Sequence, residues 1–222
     1  MDCVETPSRA LTSRRVAGAS TGLLVHLLFA VTVVYLYDFL AYGRTPEPNA
    51  SGVALGIDAG LALLFAIPHS LILWPPTRKR LGRWISPAFY GLFYTTATCA
   101  SLGAIFIYWR GVSPVLWELH GSAAAVVRGL FFASWAALFY SLHLTGLGYQ
   151  TGLTPWLYWL AQRPAPRRTF TPRGAYAYLR HPVYVSFAGL VWFTPQMTLD
   201  HAVLTALWTC YLLIGSALKD RR

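Results

Sequence analysis

The sequence predicts an all-α fold, a polytopic transmembrane helix bundle, and three observations carry that expectation. Only 12% of the 222 residues are charged while 55% are hydrophobic, and mean hydropathy is +0.45, a balance that sets the chain apart from ordinary soluble domains. Four apolar runs, residues 16–42, 53–74, 90–108 and 123–147, are each long enough to cross ~30 Å of hydrocarbon. The basic residues are grouped: all but Arg44, Arg110 and Arg128 fall within positions 9–15, 78–83, 163–180 and 219–222.

The first run follows Arg9, Arg14 and Arg15, as in the leading part of a signal peptide. It is far longer than a cleavable apolar segment, so it reads as a retained first span. It carries His26 and Asp38, and the second run carries Asp58 and His69. Ionisable groups within spans are costly and mark candidate sites. Asp38 lies near the outer end of its run and Asp58 near the outer start of the next, so both are expected to reach water. His69, followed by Ser70 and a Trp74-Pro75-Pro76 stop, is expected to be a hydrogen-bonded structural residue. His143, near the end of the fourth run, approaches the face on which His181 is expected. No HxxH or HxxxH pair occurs and Cys3, Cys99 and Cys210 are scattered, so no metal site is expected.

A fifth apolar stretch, residues 183–218, is too long for one span and is interrupted between Thr194 and Asp200. It reads as a helical hairpin turning at Pro195. Its first arm covers only about 16 Å at 1.5 Å per residue, which leaves tilting, partial re-entry and packing inside the bundle all open. With that hairpin, the four basic groups fall on alternate connections. The positive-inside rule then places both termini in the cytoplasm, for which a bacterial inner membrane is the expected setting. The net charge of +10 follows from topology and contact with anionic lipid heads. Nucleic-acid binding is set aside, because no soluble domain exists to carry it.

The single domain, residues 1–222, therefore divides into a four-span bundle at 16–147, a loop at 148–182 and the hairpin at 183–218. In the loop, residues 154–159 (TPWLYW) predict a short interfacial helix with aromatics at head-group level. Residues 162–168 (QRPAPRR) read as a proline-stiffened linker. The loop ends in GAYAYLRHPVY, positions 174–184. Proline suits a first helical turn, since its φ is pre-set and its missing N–H would have been unpaired there. A helix is therefore expected to start near Pro182, its amides pointing back at Arg180 and His181. A helix N-terminus flanked by such residues is a ready site for a carboxylate or phosphate. The plainer reading makes Arg180 and His181 interfacial anchors only.

GAYAYLRHPVY followed by an apolar hairpin resembles the cofactor-binding core of the isoprenylcysteine carboxyl methyltransferase superfamily. The block VWFTPQMTLDH, positions 191–201, resembles the bacterial branch that contains methanethiol S-methyltransferase and membrane proteins associated with nitrite and nitric-oxide reduction. The similarity is strong over residues 171–201 and weak before residue 147. It implies a membrane methyltransferase that uses S-adenosyl-L-methionine as cofactor, without a soluble nucleotide-binding domain. It implies S-methylation of a small apolar thiol such as methanethiol. A lipidic or isoprenylcysteine-type carboxylate as acceptor, and a non-catalytic role accessory to nitrogen-oxide metabolism, stay open. A transporter is disfavoured, because the spans show no internal repeat.

The cofactor contacts implied by the resemblance fall on Gly174, Tyr176, His181, Pro182, Val183 and Tyr184. Tyr178 adds a further aromatic face, and Arg180 and Asp220 are the candidate catalytic residues. Arg180 would hold the cofactor's carboxylate or favour a thiolate by its charge. The chain departs from the superfamily pattern at Ser186, where Gly is usual. It departs again at Lys219-Asp220, where a glutamate pair is usual, and in ending at Arg222 where a further segment that closes the cofactor site is usual.

Overall fold

The computed structural model describes residues 9–45, 52–167 and 171–220, with side chains from residue 13 onward. Cys3 and the linker's Arg168 lie outside the described residues. Helix α1 spans Arg9–Tyr42, α2 Gly52–Leu73, α4 Pro87–Tyr108, α5 Gly121–Leu144 and α9 Leu199–Asp220, with the short α3 at Pro75–Leu81. These five long helices are apolar enough to cross a membrane, and at most 33% of each apolar window is buried within the protein. The rest is lipid-facing surface: Leu23, Leu24, Leu27, Val31 and Val34 of α1 are exposed in a row, a patch no soluble monomer would tolerate. The chain is an integral membrane helix bundle.

The fifth apolar stretch resolves into α8, Pro182–Trp192, and α9, joined by strand β2 at Gln196–Thr198. The short arm packs into the bundle on one face, with Val185 and Trp192 exposed on the other. Leu190 and Val191 are fully buried among α1, α2, α4, α5 and α9 residues. The chain turns at Pro195 between the two helices, as expected, and adds a pairing: β2 runs antiparallel to β1, Val115–Glu118, in the connection between α4 and α5. Non-helical backbone at this depth needs partners. It finds them where Leu119 N–H donates to Pro195 O at 2.8 Å and Leu199 N–H to Pro114 O at 3.0 Å.

That hairpin closes the end of the bundle remote from His181. The expectation that Asp58 reaches water fails here. It is fully buried, its Oδ1 accepting the Arg110 backbone N–H at 2.9 Å. Asp200 is buried beside it, its Oδ2 accepting the Trp109 indole N–H at 2.7 Å. Asp38, by contrast, is exposed.

The interfacial segment is also corrected. Helix α7, Leu153–Leu160, does form after a single turn, α6, at Leu147–Gln150. Its Trp156 is buried, however, with the indole N–H donating to Gly18 O at 2.9 Å and the ring against His26 at 5.6 Å. Gly18 and Gly22 of α1 make this approach possible, since a Cβ at either would fall inside a tryptophan ring. Gly152, at φ +82°, lets the turn before α7 lie directly on Gly91 of α4. So α7 is wedged between α1 and α4, its tryptophans turned inward.

Candidate active site

Helix α8 begins at Pro182, as the sequence requires, with His181 at its cap position. Tyr184 and Val185 donate their N–H groups to His181 O at 3.0 and 3.2 Å. The helix entrance is therefore tighter than expected, and of its early amides the one at Val183 remains at the tip. Pro182 and Ser186 are buried, and the Ser186 hydroxyl donates back to Pro182 O at 2.8 Å. The departure from glycine at this position is thus absorbed by the helix's own backbone.

The C-terminal end of α9 meets this entrance. Asp220 Oδ1 lies 3.1 Å from His181 Nε2 and 3.8 Å from Arg180 Nη1. A carboxylate at a helix C-terminus opposes the macrodipole, and the two basic partners offset that. The His181 and Tyr184 rings stack, with centroids 5.2 Å apart and planes 21° apart. The Lys219 ammonium stands 4.9 Å from the Tyr184 centroid. Arg180, His181, Tyr184, Lys219 and Asp220 therefore form one group at the basic end of the bundle.

The remaining sequence-predicted residues divide. Gly174 opens a 3₁₀ turn, Gly174–Ala177, at φ +56°. A Cβ there would strike the Tyr140 hydroxyl of α5, so the glycine is explained by that close approach. Tyr176 and Val183 are half-buried, Val183 packing against the main core. Tyr178 is 91% exposed, so its ring is not packed into the group. His143 is exposed in the last turn of α5.

Beneath lies His69, hydrogen-bonded as the sequence suggested, with partners that sequence reasoning missed. Tyr184 Oη comes close to Gly215, where a Cβ would stand 3.5 Å away. One helical turn earlier on α9, Tyr211 shares a 2.7 Å hydrogen bond with Ser70 of α2. Next to Ser70, the His69 ring meets the Tyr94 hydroxyl of α4, 2.7 Å from Nε2, and Thr98 Oγ1, 3.3 Å from Nδ1. Phe65, one turn further along α2, contacts His69 and Trp208, each at 5.1 Å between centroids. A column of hydroxyls and one imidazole thus runs from the helix entrance into the bundle over an aromatic floor.

A methanethiol S-methyltransferase from a Pseudomonas species is 30% identical to this chain, the match covering 94% of it and 83% of the relative. A methanethiol S-methyltransferase of Pseudomonas deceptionensis is also 30% identical, with 98% and 85% covered. The chain belongs to the methanethiol S-methyltransferase family. Nurim of Xenopus laevis matches at 28% identity over 71% of the chain and 58% of its own length. These likenesses place the methanethiol S-methyltransferase family member described here within the isoprenylcysteine carboxyl methyltransferase-like superfamily, and it is a membrane methyltransferase. No protein-family profile matches the chain, and no solved structure matches it.

Proposed function

We propose that this enzyme methylates a small thiol such as methanethiol, taking the methyl group from S-adenosylmethionine at the basic end of the bundle. The observation that carries the reading is the meeting of the RHPVY entrance with Asp220 and Lys219 directly above the His69–Tyr94 column. The basic residues of both termini and of positions 162–180 support placing this end in the cytoplasm of a bacterial inner membrane.

The residues present fit the donor. Arg180, with its side chain 82% exposed and only a 3.8 Å approach to Asp220, is available for the donor's carboxylate, assisted by His181 and the Val183 N–H. The face of Tyr184 already holds a cation, the Lys219 ammonium, and a π face that attracts an ammonium attracts a sulfonium for the same reason. Asp220 supplies negative charge beside it. When bound, S-adenosylmethionine supplies an electrophilic methyl group on that sulfonium.

The protein's own contribution is alignment and exclusion of water, the main levers for a displacement of this kind. Tyr184 links the two halves: its ring belongs to the entrance and its hydroxyl points toward Gly215 and the column. An acceptor resting on the column would lie on the membrane side of the donor. A small apolar thiol partitions into that side from the bilayer.

Calorimetric binding of S-adenosylmethionine to the purified protein tests the donor assignment. Tyr184→Ala and His181→Ala are expected to weaken binding about tenfold each, the loss of one stacking or hydrogen-bonding contact. Unchanged affinity in both variants would put the donor elsewhere.

A further inference from the structure

Methyl transfer to sulfur needs the thiolate, and a simple alkyl thiol keeps its proton at neutral pH. At the entrance, His181 is already engaged by Asp220 at 3.1 Å. A second imidazole lies deeper, at His69, and it is held differently. Both of its partners, Tyr94 and Thr98, are hydroxyls, which can donate or accept. Neither fixes the ring as an imidazolium, so a neutral ring keeps one acceptor nitrogen, which a thiol would reach by displacing a hydroxyl, the Thr98 contact at 3.3 Å being the longer of the two.

The surroundings suit a small neutral acceptor. Toward the bundle core lie the aromatic rings of Phe65, Trp208 and Phe187, with Phe187 and Trp208 at 5.4 Å. Toward the entrance lie Ser70, Tyr211 and Tyr184. The titratable group on the His69 ring itself is Tyr94 from α4, while Tyr211 from α9 bonds the neighbouring Ser70. From α3, Arg78 covers the neighbouring Tyr90 ring at 5.3 Å. The nearest charged residues along the column are Lys219 and Asp220 at its mouth, where Asp220 meets His181.

We propose that the His69–Tyr94 pair is the acceptor-thiol site, with His69 as the base that removes the thiol proton. This deepens the thiol reading above and rests on it. The thiol S–H bond breaks, its proton passing to a His69 ring nitrogen. The sulfur's electron pair forms the new S–C bond as the bond from the methyl to the donor's sulfonium sulfur breaks, that pair remaining on the donor sulfur. Tyr94 holds the imidazole in place and shares the charge it acquires.

The test compares the full chain in lipid nanodiscs with His69→Gln and Tyr94→Phe, measuring S-adenosylmethionine binding and methyl transfer to methanethiol across pH. With donor binding retained, His69→Gln should lose roughly 10²-fold in turnover at neutral pH, the range general-base catalysis supplies. Its rate should climb about tenfold per pH unit, following the thiolate fraction, while the wild type is flatter. Hydrogen sulfide, a smaller and more acidic acceptor, should suffer a clearly smaller loss. An equal loss for both acceptors, or a pH profile parallel to the wild type, would overturn the base assignment and leave His69 a packing residue. Should His69→Gln lose donor binding, Tyr94→Phe, which removes one hydroxyl, decides by the same comparison. No transfer to methanethiol by the wild type would instead sink the thiol reading, and this proposal with it.

Discussion

His181 and Asp220 are 39 positions apart in the chain and meet at 3.1 Å. The contact ties the start of α8 to the end of α9, so the two helices close as a loop over the column below. A charged hydrogen bond with this exposure, 20% for one side chain and 40% for the other, stabilises by at most ~1 kcal/mol. Asp220→Asn is therefore expected to weaken S-adenosylmethionine binding by no more than about fivefold. Asp220→Lys, which replaces the carboxylate beside Arg180 and His181 with a cation, should weaken it well beyond that. Calorimetry on the two variants checks the order. Equal, large losses in both would mean the carboxylate contacts the donor directly.

Lys219 occupies the face of Tyr184 on which a sulfonium would bind. Removing a partly exposed cation–π contact is worth about 0.5–1 kcal/mol. Lys219→Met should thus tighten donor binding two- to fivefold, by roughly the same figure. Weaker binding in that variant would show the ammonium helping to hold the donor's carboxylate.

The wedge of α7 depends on the bare backbone of Gly22, where a Cβ would enter the Trp156 ring. Overpacking of this kind costs about 1–3 kcal/mol. Gly22→Ala should lower the thermal unfolding midpoint in detergent. Gly56→Ala, with no atom within 4 Å of the added carbon, should leave it unchanged or raise it. The reverse order would mean that α7 does not pack where it is placed.

Orientation is open to labelling. Ala165→Cys should react with a membrane-impermeant maleimide only after the membrane is opened, and Glu118→Cys in intact cells. Reaction of Ala165→Cys alone in intact cells would invert the topology.

The long spans and the start of α8 were legible because each rests on a local signal: apolar runs of membrane length, and Pro182 after a polar segment. What stayed hidden depends on contacts between distant parts of the chain. Pairing of Val115 with Thr198 is visible in neither segment alone, nor is the approach of the Arg110 backbone N–H that meets Asp58 where it is buried. Trp156 looked interfacial by composition, and only Gly18 and Gly22, far back in the chain, turn it inward. The column draws His69 and Ser70 from α2, Tyr94 and Thr98 from α4 and Tyr211 from α9. No spacing rule could assemble it. Tyr178 shows the opposite error, since a tyrosine-rich motif suggested an aromatic cluster that its exposed ring does not join.

The central claim is that a thiol is methylated at this site, and one assay addresses it most directly. Membranes containing the full chain would be given methanethiol and S-adenosylmethionine labelled in its methyl group. Labelled dimethyl sulfide, produced by the wild type and reduced about tenfold by Tyr184→Ala at subsaturating donor through weaker donor binding, is the result predicted. Donor binding by the wild type with no label transferred to methanethiol or other small thiols would contradict the account and leave a lipidic carboxylate as the acceptor to test.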